Sequence, residues 1–426
     1  RNSNDEMGNI LNIDPEVTKK ITECGTTADG ELQYAASSMK GWRVTMEDCH
    51  TLSPHMPTSV GTLEDHSLFA VMDGHGGNMT SVYAGNTFVS YLSKQSEMKK
   101  YGGLSKSGTK SREDVTGVEL LRSALAGAFR DLDESLRTLQ RLRNEEFEKE
   151  RNKHPAAADD EPKVVERSGS TCIVVLVTPS HIICANAGDS RATLKRGDRV
   201  LPLSFDHKPN NLPEYQRISR AGGFVKSKRV DGDLAVSRGL GDFSFKCQKE
   251  LDLINQKVIS KPDILVYPRE KELDEFIVIA CDGVWDVASN SQCSEIVSEI
   301  MQEGETDLGL LSEEVLDICL EKNSRDNMTI IVVCFPKAQI LPKSSPQAKA
   351  AVANRRLARQ TRLLELQAKT AAQNAASGVG INLGLTNKSG ADTSSAATTP
   401  SVAVPNEQSE VSAVKKDPPS VPIAAA

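Results

Sequence analysis

Four aspartates in this chain stand beside short apolar runs. Asp73 follows Ser67–Met72 and opens Asp-Gly-His-Gly-Gly, and Asp282 follows Phe276–Cys281 and opens Asp-Gly-Val-Trp-Asp. Asp189 follows Ile182–Gly188, and Asp326 just precedes Met328–Phe335. Runs of this length and β-branched content read as buried strands. A carboxylate beside a core is costly unless something neutralises it, and several together fit a hard cation with oxygen ligands. Two such cations ~3.5–4 Å apart can share a bridging water and lower its pKa. Asp73, Asp282 and Asp326, each from a different strand edge, suit that role. Glu47 and Asp48 could bind cation-held waters, and Gly74, without a Cβ, lets its carbonyl approach a cation. Arg43 suits bidentate phosphate binding. His75, directly beyond Asp73-Gly74, could protonate a leaving oxygen.

These residues need a scaffold, and the pattern supplies one. Strand-like runs cover Gln33–Ser38, Ser67–Met72, Ser170–Thr178, His181–Ala187, Arg191–Arg196, Phe276–Ala280 and Met328–Phe335. Leu121, Leu125, Ala128, Leu132, Leu136 and Leu139 recur at three and four, one face of a long helix that continues into the highly charged Arg141–Lys153. Asp159-Asp-Glu161 belong to a polar loop. Further helices are expected over Ser291–Gln302 and Leu310–Asn323. Strands outnumber helices without strict alternation, which argues against a Rossmann-type parallel sheet and for antiparallel sheets with helices outside, an α+β class.

The 426 residues carry a formal charge of −7, which argues against nucleic acid as the main partner. No apolar run reaches the ~18 residues of a membrane span. Nine cysteines are scattered without a Cys-x-x-Cys pair; Cys172, Cys184, Cys281 and Cys334 lie in apolar runs and read as small buried hydrophobes. Gly103–Lys110 imitates a phosphate-binding loop, but its second glycine is followed by Thr-Lys and no strand precedes it, so it reads as a flexible loop. Three regions are expected: an N-terminal extension over 1–30, a catalytic domain over 31–338, and a basic Ala/Ser/Pro-rich tail over 339–426. Residues 341–426 hold ten Lys and Arg against five Asp and Glu and no aromatic residue. A helix is expected over about 348–376, with Arg355, Arg356, Arg359 and Arg362 opposite Leu364, and disorder beyond Ser377. That basic helix could dock an acidic partner, touch a membrane surface or stand as a solvated extension. If translation begins at Met7, Gly8 resembles a myristoylation acceptor with Asn12 where Ser or Thr is wanted; lipidation would give weak membrane association.

Taken together, nine motifs in order resemble the metal-dependent protein phosphatase family of type 2C, the magnesium- or manganese-dependent serine/threonine phosphatases. They are Gly41-Trp-Arg-Val-Thr-Met-Glu-Asp48, Phe69-Ala-Val-Met-Asp-Gly-His-Gly-Gly77, Ser168-Gly-Ser-Thr171, Asn186-Ala-Gly-Asp-Ser-Arg191, Asp206-His-Lys-Pro209, Arg220-Ala-Gly-Gly223, Leu234-Ala-Val-Ser-Arg-Gly-Leu-Gly-Asp242, Ala280-Cys-Asp-Gly-Val-Trp-Asp286 and Ser324-Arg-Asp-Asn327. The resemblance implies a central antiparallel β-sandwich with helices on both outer faces, four α/β/β/α layers. It implies two Mg2+ or Mn2+ ions, with Asp73 bridging them, Gly74 giving its carbonyl to one, Asp282 and Asp326 holding the other, and Glu47 and Asp48 acting through water. Asp189 and Asp286, with Asp282, match a weaker third metal site. Arg43 would bind the phosphate and His75 would be the general acid, so that a metal-bridging hydroxide hydrolyses phosphoserine and phosphothreonine in proteins. A flap would lie within 206–242. The helix and loop at 118–166 are longer than in compact members. A cytoplasmic monomer acting on phosphoproteins is the expectation, with a nuclear or membrane-associated fraction as a variant. The alternative is a catalytically silent phosphatase-like binding module, which would be expected to lack the metal-binding aspartates present here.

Overall fold

Successive side chains of a strand point to opposite faces, and along Ser67–Met72 both faces are apolar. Phe69 and Val71 pack among Ile173, Val175, Ile277, Ile279 and Ile331. Leu68, Ala70 and Met72 pack instead among Phe88, Leu125, Phe129 and Leu132. A strand buried on both faces must lie inside a layered stack, with a second sheet on one side and helices on the other.

A computed structural model describes residues 16–105, 111–153, 166–338 and 346–376. Its sandwich strands are β1 (Glu16–Thr26), β2 (Gln33–Gly41), β3 (Cys49–Ser53), β4 (Ser67–Met72), β5 (Cys172–Val177), β6 (His181–Ala187), β7 (Arg191–Arg196), β8 (Arg199–Pro202), β9 (Asp263–Pro268), β10 (Asp274–Ala280) and β11 (Met328–Cys334). One sheet runs β1-β2-β11-β10-β7-β8 and the other β9-β6-β5-β4-β3, with antiparallel pairing throughout. Helices α1 (Met79–Ser93) and α2 (Val115–Lys153) cover the second sheet. Helices α3 (Asn290–Gln302) and α4 (Leu308–Glu321) cover the first. The expected four-layer α/β/β/α sandwich is the architecture observed. Local signals set the helix starts: Ser289 and Gln292 form a capping box on α3, and Asp307 accepts from the Gly309 and Leu310 amides of α4.

Two elements differ from expectation. The N-terminal region read as an extension contains β1, an edge strand paired along β2 from Lys20↔Met39 to Thr26↔Gln33. Its sequence is mostly polar because it lies at the sheet edge, where one flank pairs with no strand among the described residues.

The second is α5 (Pro346–Ala376). This basic helix does not stand off from the body. Arg355 reaches Glu303 at 2.8 Å and Glu314 at 2.9 Å, and Arg356 pairs with Glu305. Arg359, largely buried, pairs with Asp317, which also meets Lys20 of β1 at 2.7 Å. Leu363 is buried and Leu366 packs on the α3–α4 core, whereas Leu364 is exposed. The arginines share the docked face with Leu363 and Leu366 and leave Leu364 on the solvent side, because the surface they meet is acidic. The chain divides into two units, Arg1–Val379 and Gly380–Ala426. Gly8, Asp159–Glu161 and the tail beyond Ser377 lie outside the described residues. No described helix is long and apolar enough to cross a membrane.

Removing one partner of a buried ion pair typically costs about 3–5 kcal/mol. Arg359→Ala should therefore release α5, read as faster amide exchange over 346–376 with the sandwich strands unchanged; unchanged exchange in α5 would count against the clamp.

Candidate metal centre

The sandwich brings strand ends from both sheets to one edge. Asp73 leaves β4 of one sheet, while Asp282 leaves β10 and Asp326 precedes β11 of the other. Asp189 lies in the crossing from β6 to β7, which passes between sheets. Arg43, Glu47, Asp73, Gly74, His75, Asp189, Asp282, Asp286 and Asp326 all line one cleft of about 830 Å³. Asp48 stands behind it, buried.

Backbone contacts fix this edge. The Thr171 amide donates to the Asp73 carbonyl at 2.8 Å, and the Asp73 amide donates to Thr171 Oγ1 at 3.1 Å. The segment carrying Arg43 and Glu47 is pinned by one side chain: Asn327 Nδ2 donates to the Lys40 and Thr45 carbonyls, each at 2.9 Å, and Asn327 Oδ1 accepts from the Glu47 amide at 2.9 Å. A Cβ on Gly74 would fall 2.3 Å from the Glu47 carbonyl oxygen and 2.7 Å from Ser81 Oγ. Gly74 is thus demanded by the close approach of two backbone segments.

The electrostatics are one-sided. Burial raises the pKa of Asp73 well above its ordinary value, and Asp282, Asp48, Asp189 and Asp326 raise it further. Asp282 is raised in the same way by burial and by Asp189, Asp326 and Asp286. Burial pushes Asp48 up to about 6, against a 2.7 Å hydrogen bond from Thr329 Oγ1 to its Oδ2. Asp48 Oδ1 is buried without a hydrogen-bond partner. Carboxylate oxygens of Asp48 and Asp73 and the sulfur of Cys281 lie within 4.8 Å of one another. Burial and nearby carboxylates hold the Cys281 thiol well above its usual pKa, and its sulfur accepts from the Thr329 amide at 3.1 Å, so the thiol belongs to the wall. An oxygen-rich, mutually repelling set with an orphaned carboxylate oxygen fits a hard divalent cation.

Two cations already touch these carboxylates. Arg43 Nη2 donates to Asp326 Oδ2 at 2.6 Å, and Lys208 Nζ bonds Asp189 Oδ2. His75 Nε2 lies 2.9 Å from both oxygens of Asp242. Burial alone would lower the His75 pKa, but the Asp242 carboxylate overrides it and raises the value.

With this geometry in hand, comparison with known proteins is decisive. The family model described as Protein phosphatase 2C matches residues 32–328. This chain belongs to the protein phosphatase 2C family. Protein phosphatase 1A of Homo sapiens is 38% identical over 317 residues, spanning 74% of this chain and 73% of that protein. Protein phosphatase 1B of Rattus norvegicus is 38% identical over 336 residues, spanning 79% and 77%. Among solved structures, the serine-threonine phosphatase 2C from Toxoplasma gondii overlays with a TM-score of 0.58 at 22% identity, covering 74% of this chain and 99% of that one, a likeness of fold. Family membership supports protein phosphatase activity.

In this protein phosphatase 2C member, three side chains matter whose roles sequence reading did not find. Asp242, Lys208 and Asn327 all lie inside quoted motifs, yet their partners His75, Asp189 and Glu47 are distant along the chain. Asp242 is buried and adopts φ 53°. A side chain on Gly169 would collide with its carboxylate, the nearest oxygen lying 2.2 Å from the Cβ position.

Carboxylates whose folded pKa is raised hold protons that an incoming cation must expel, so cation binding should release protons and tighten as pH rises. Calorimetric Mn2+ titrations at pH 6 in buffers of different ionisation enthalpy should give different apparent enthalpies; identical values would contradict the raised pKa values.

Proposed function

We propose that this protein phosphatase 2C member hydrolyses phosphoserine and phosphothreonine in proteins and depends on two Mg2+ or Mn2+ ions. The observation that carries this reading is the convergence of Asp73, Asp282, Asp326, Glu47, Arg43 and His75 on one cleft, with Asp48 behind it offering a partnerless buried oxygen. Asp73 and the Gly74 carbonyl would hold one ion, and Asp73, Asp282 and Asp326 the other, with Glu47 and Asp48 acting through water. Bound there, divalent cations lower the pKa of a shared water and offset the charge of a phosphate dianion.

The chain's own groups do the rest. Arg43 is half exposed and uses one nitrogen on Asp326. A guanidinium has five N–H donors, which leaves others for phosphate oxygens, so Arg43 orients the ester. His75 has Nε2 committed to Asp242. The proton delivered to the departing serine or threonine oxygen then comes from Nδ1. Asp242 keeps the ring protonated and fixes its plane, the logic by which a carboxylate orients a histidine acid. Asp189 and Asp286 remain candidates for a weaker third ion, which would have to displace the Lys208 ammonium from Asp189. That competition accounts for why such a site would be the weakest.

Hydrolysis of a phosphothreonine peptide should require Mn2+ or Mg2+ and vanish with EDTA. No turnover at saturating Mn2+ would reject the enzyme reading. Asp282→Asn should weaken Mn2+ binding and turnover together.

An alkyl oxygen needs its proton more than p-nitrophenolate does. His75→Gln should therefore slow phosphothreonine hydrolysis by about 10²-fold or more, the ordinary contribution of a positioned acid, and p-nitrophenyl phosphate hydrolysis far less. Equal losses on both substrates would remove His75 from the acid role.

A further inference from the structure

On the side of α2 the catalytic cleft adjoins a second cavity. Arg167 and Ser244 line both the cleft and this cavity of about 680 Å³, which runs along the C-terminal half of α2. Phe243 lines this groove, with the Arg137 guanidinium over its ring 4.4 Å from the centroid and the Lys246 ammonium 5.3 Å from it. Among the described residues, the rest of its lining is Glu166 and long side chains of α2, among them Gln140, Asn144 and Glu148, and most of the lining surface is apolar. Long charged residues line apolar grooves with their stems while their heads stay in water, and here Arg141 pairs with Glu145 at 2.7 Å on the exposed face.

The junction itself is built. Asn144 Oδ1 accepts from the Glu166 amide at 2.8 Å and Asn144 Nδ2 donates to the Glu166 carbonyl at 3.3 Å. This two-point contact ties the backbone before Arg167 to α2. Nearby arginines have carboxylate partners: Arg137 meets Glu134 at 3.5 Å and Arg143 meets Glu166 at 3.8 Å. Arg167 is exposed and, among the described residues, has none. A polypeptide entering the cleft extends beyond the reacting phosphate, and on this side it meets first an unpaired cation and then an apolar trough.

We propose that this groove receives the phosphoprotein chain on one flank of the phosphoresidue, an acidic side chain pairing with Arg167 and an apolar one resting on Phe243. The proposal rests on the phosphatase reading and adds a specificity determinant to it. Volume supports it: cavities of roughly 300–1,000 Å³ are the range of specific ligand sites. Adjacency to the cleft, a cation at the shared rim in Arg167, and four basic side chains against three glutamates in the lining select a polypeptide with an acidic and an apolar residue.

The test uses the full chain with Mn2+. Two pairs of phosphothreonine peptides carry Glu-Leu-Leu either before or after the phosphoresidue, each with an all-Ala counterpart. One of the Glu-Leu-Leu peptides should exceed its counterpart by about tenfold in kcat/KM, through KM, as burying one or two apolar side chains implies. Glu145→Trp, at the exposed edge of the groove, should fill it and abolish that preference while leaving p-nitrophenyl phosphate turnover within about twofold of wild type. Arg167→Ala should reduce the preference only in the part owed to the glutamate, as a Glu-to-Gln change in the peptide would show. Fluorescence anisotropy of the dephosphorylated peptides in EDTA, where nothing turns over, should show the same ranking and its loss in Glu145→Trp. Equal KM values for each pair in wild type, or an unchanged preference in Glu145→Trp, would overturn the groove. Absence of p-nitrophenyl phosphate turnover in wild type would instead count against the phosphatase reading, and an anisotropy preference would then still uphold the groove.

Discussion

Like charges at the edge of a low-dielectric core repel strongly: two unit charges ~4 Å apart interact by about 4 kcal/mol at an effective dielectric of 20. Burial and then this repulsion raise the pKa of Asp73, beside Asp282, Asp48, Asp189 and Asp326, that of Asp282, beside Asp189, Asp326 and Asp286, and that of Asp48, beside Asp326. The rest of the molecule is arranged around holding them in place against that repulsion. The sandwich core fixes the two sheets, so Asp73 cannot drift from Asp282 and Asp326 without opening the packing of Phe69 and Val71 on Ile277, Ile279 and Ile331. Arg43 and Lys208 relieve part of the charge from the rim.

Much of this was legible in the sequence because the signal is local. An aspartate at the end of an apolar run is visible within eight residues, and a strand buried on both faces reads as a short continuous apolar, β-branched run. The long helix carrying Leu121 to Leu139 announced itself by period. What could not be read depends on partners far apart in the chain. His75 and Asp242 are separated by 167 positions, and nothing about either residue alone names the other. The strand Glu16–Thr26 looks like polar linker because its order comes from pairing with β2. That α5 docks on the body could not be read for a related reason: the acidic surface that receives Arg355, Arg356 and Arg359 is assembled from Glu303, Glu305, Glu314 and Asp317 around α3 and α4, and helical spacing within α5 cannot reveal it.

Gly74 was expected for its carbonyl and is required for its missing side chain. The Glu47 carbonyl and Ser81 Oγ occupy the space a Cβ would take, so the segment carrying Glu47 and the segment carrying Asp73 touch directly. Position along the chain and position in the cleft are thereby coupled: moving one acidic segment moves the other.

Asn327 extends the same coupling, since its amide joins the Arg43–Glu47 segment to the start of β11. Asn327-Met328-Thr329 also spells the acceptor signal for N-linked glycan addition. In the folded chain that nitrogen already donates two hydrogen bonds and the residue is only 6% exposed. A sugar there would have to be added before the sandwich closes, and its presence would then prevent closure. Folding therefore protects this asparagine from a modification that its neighbours in sequence invite.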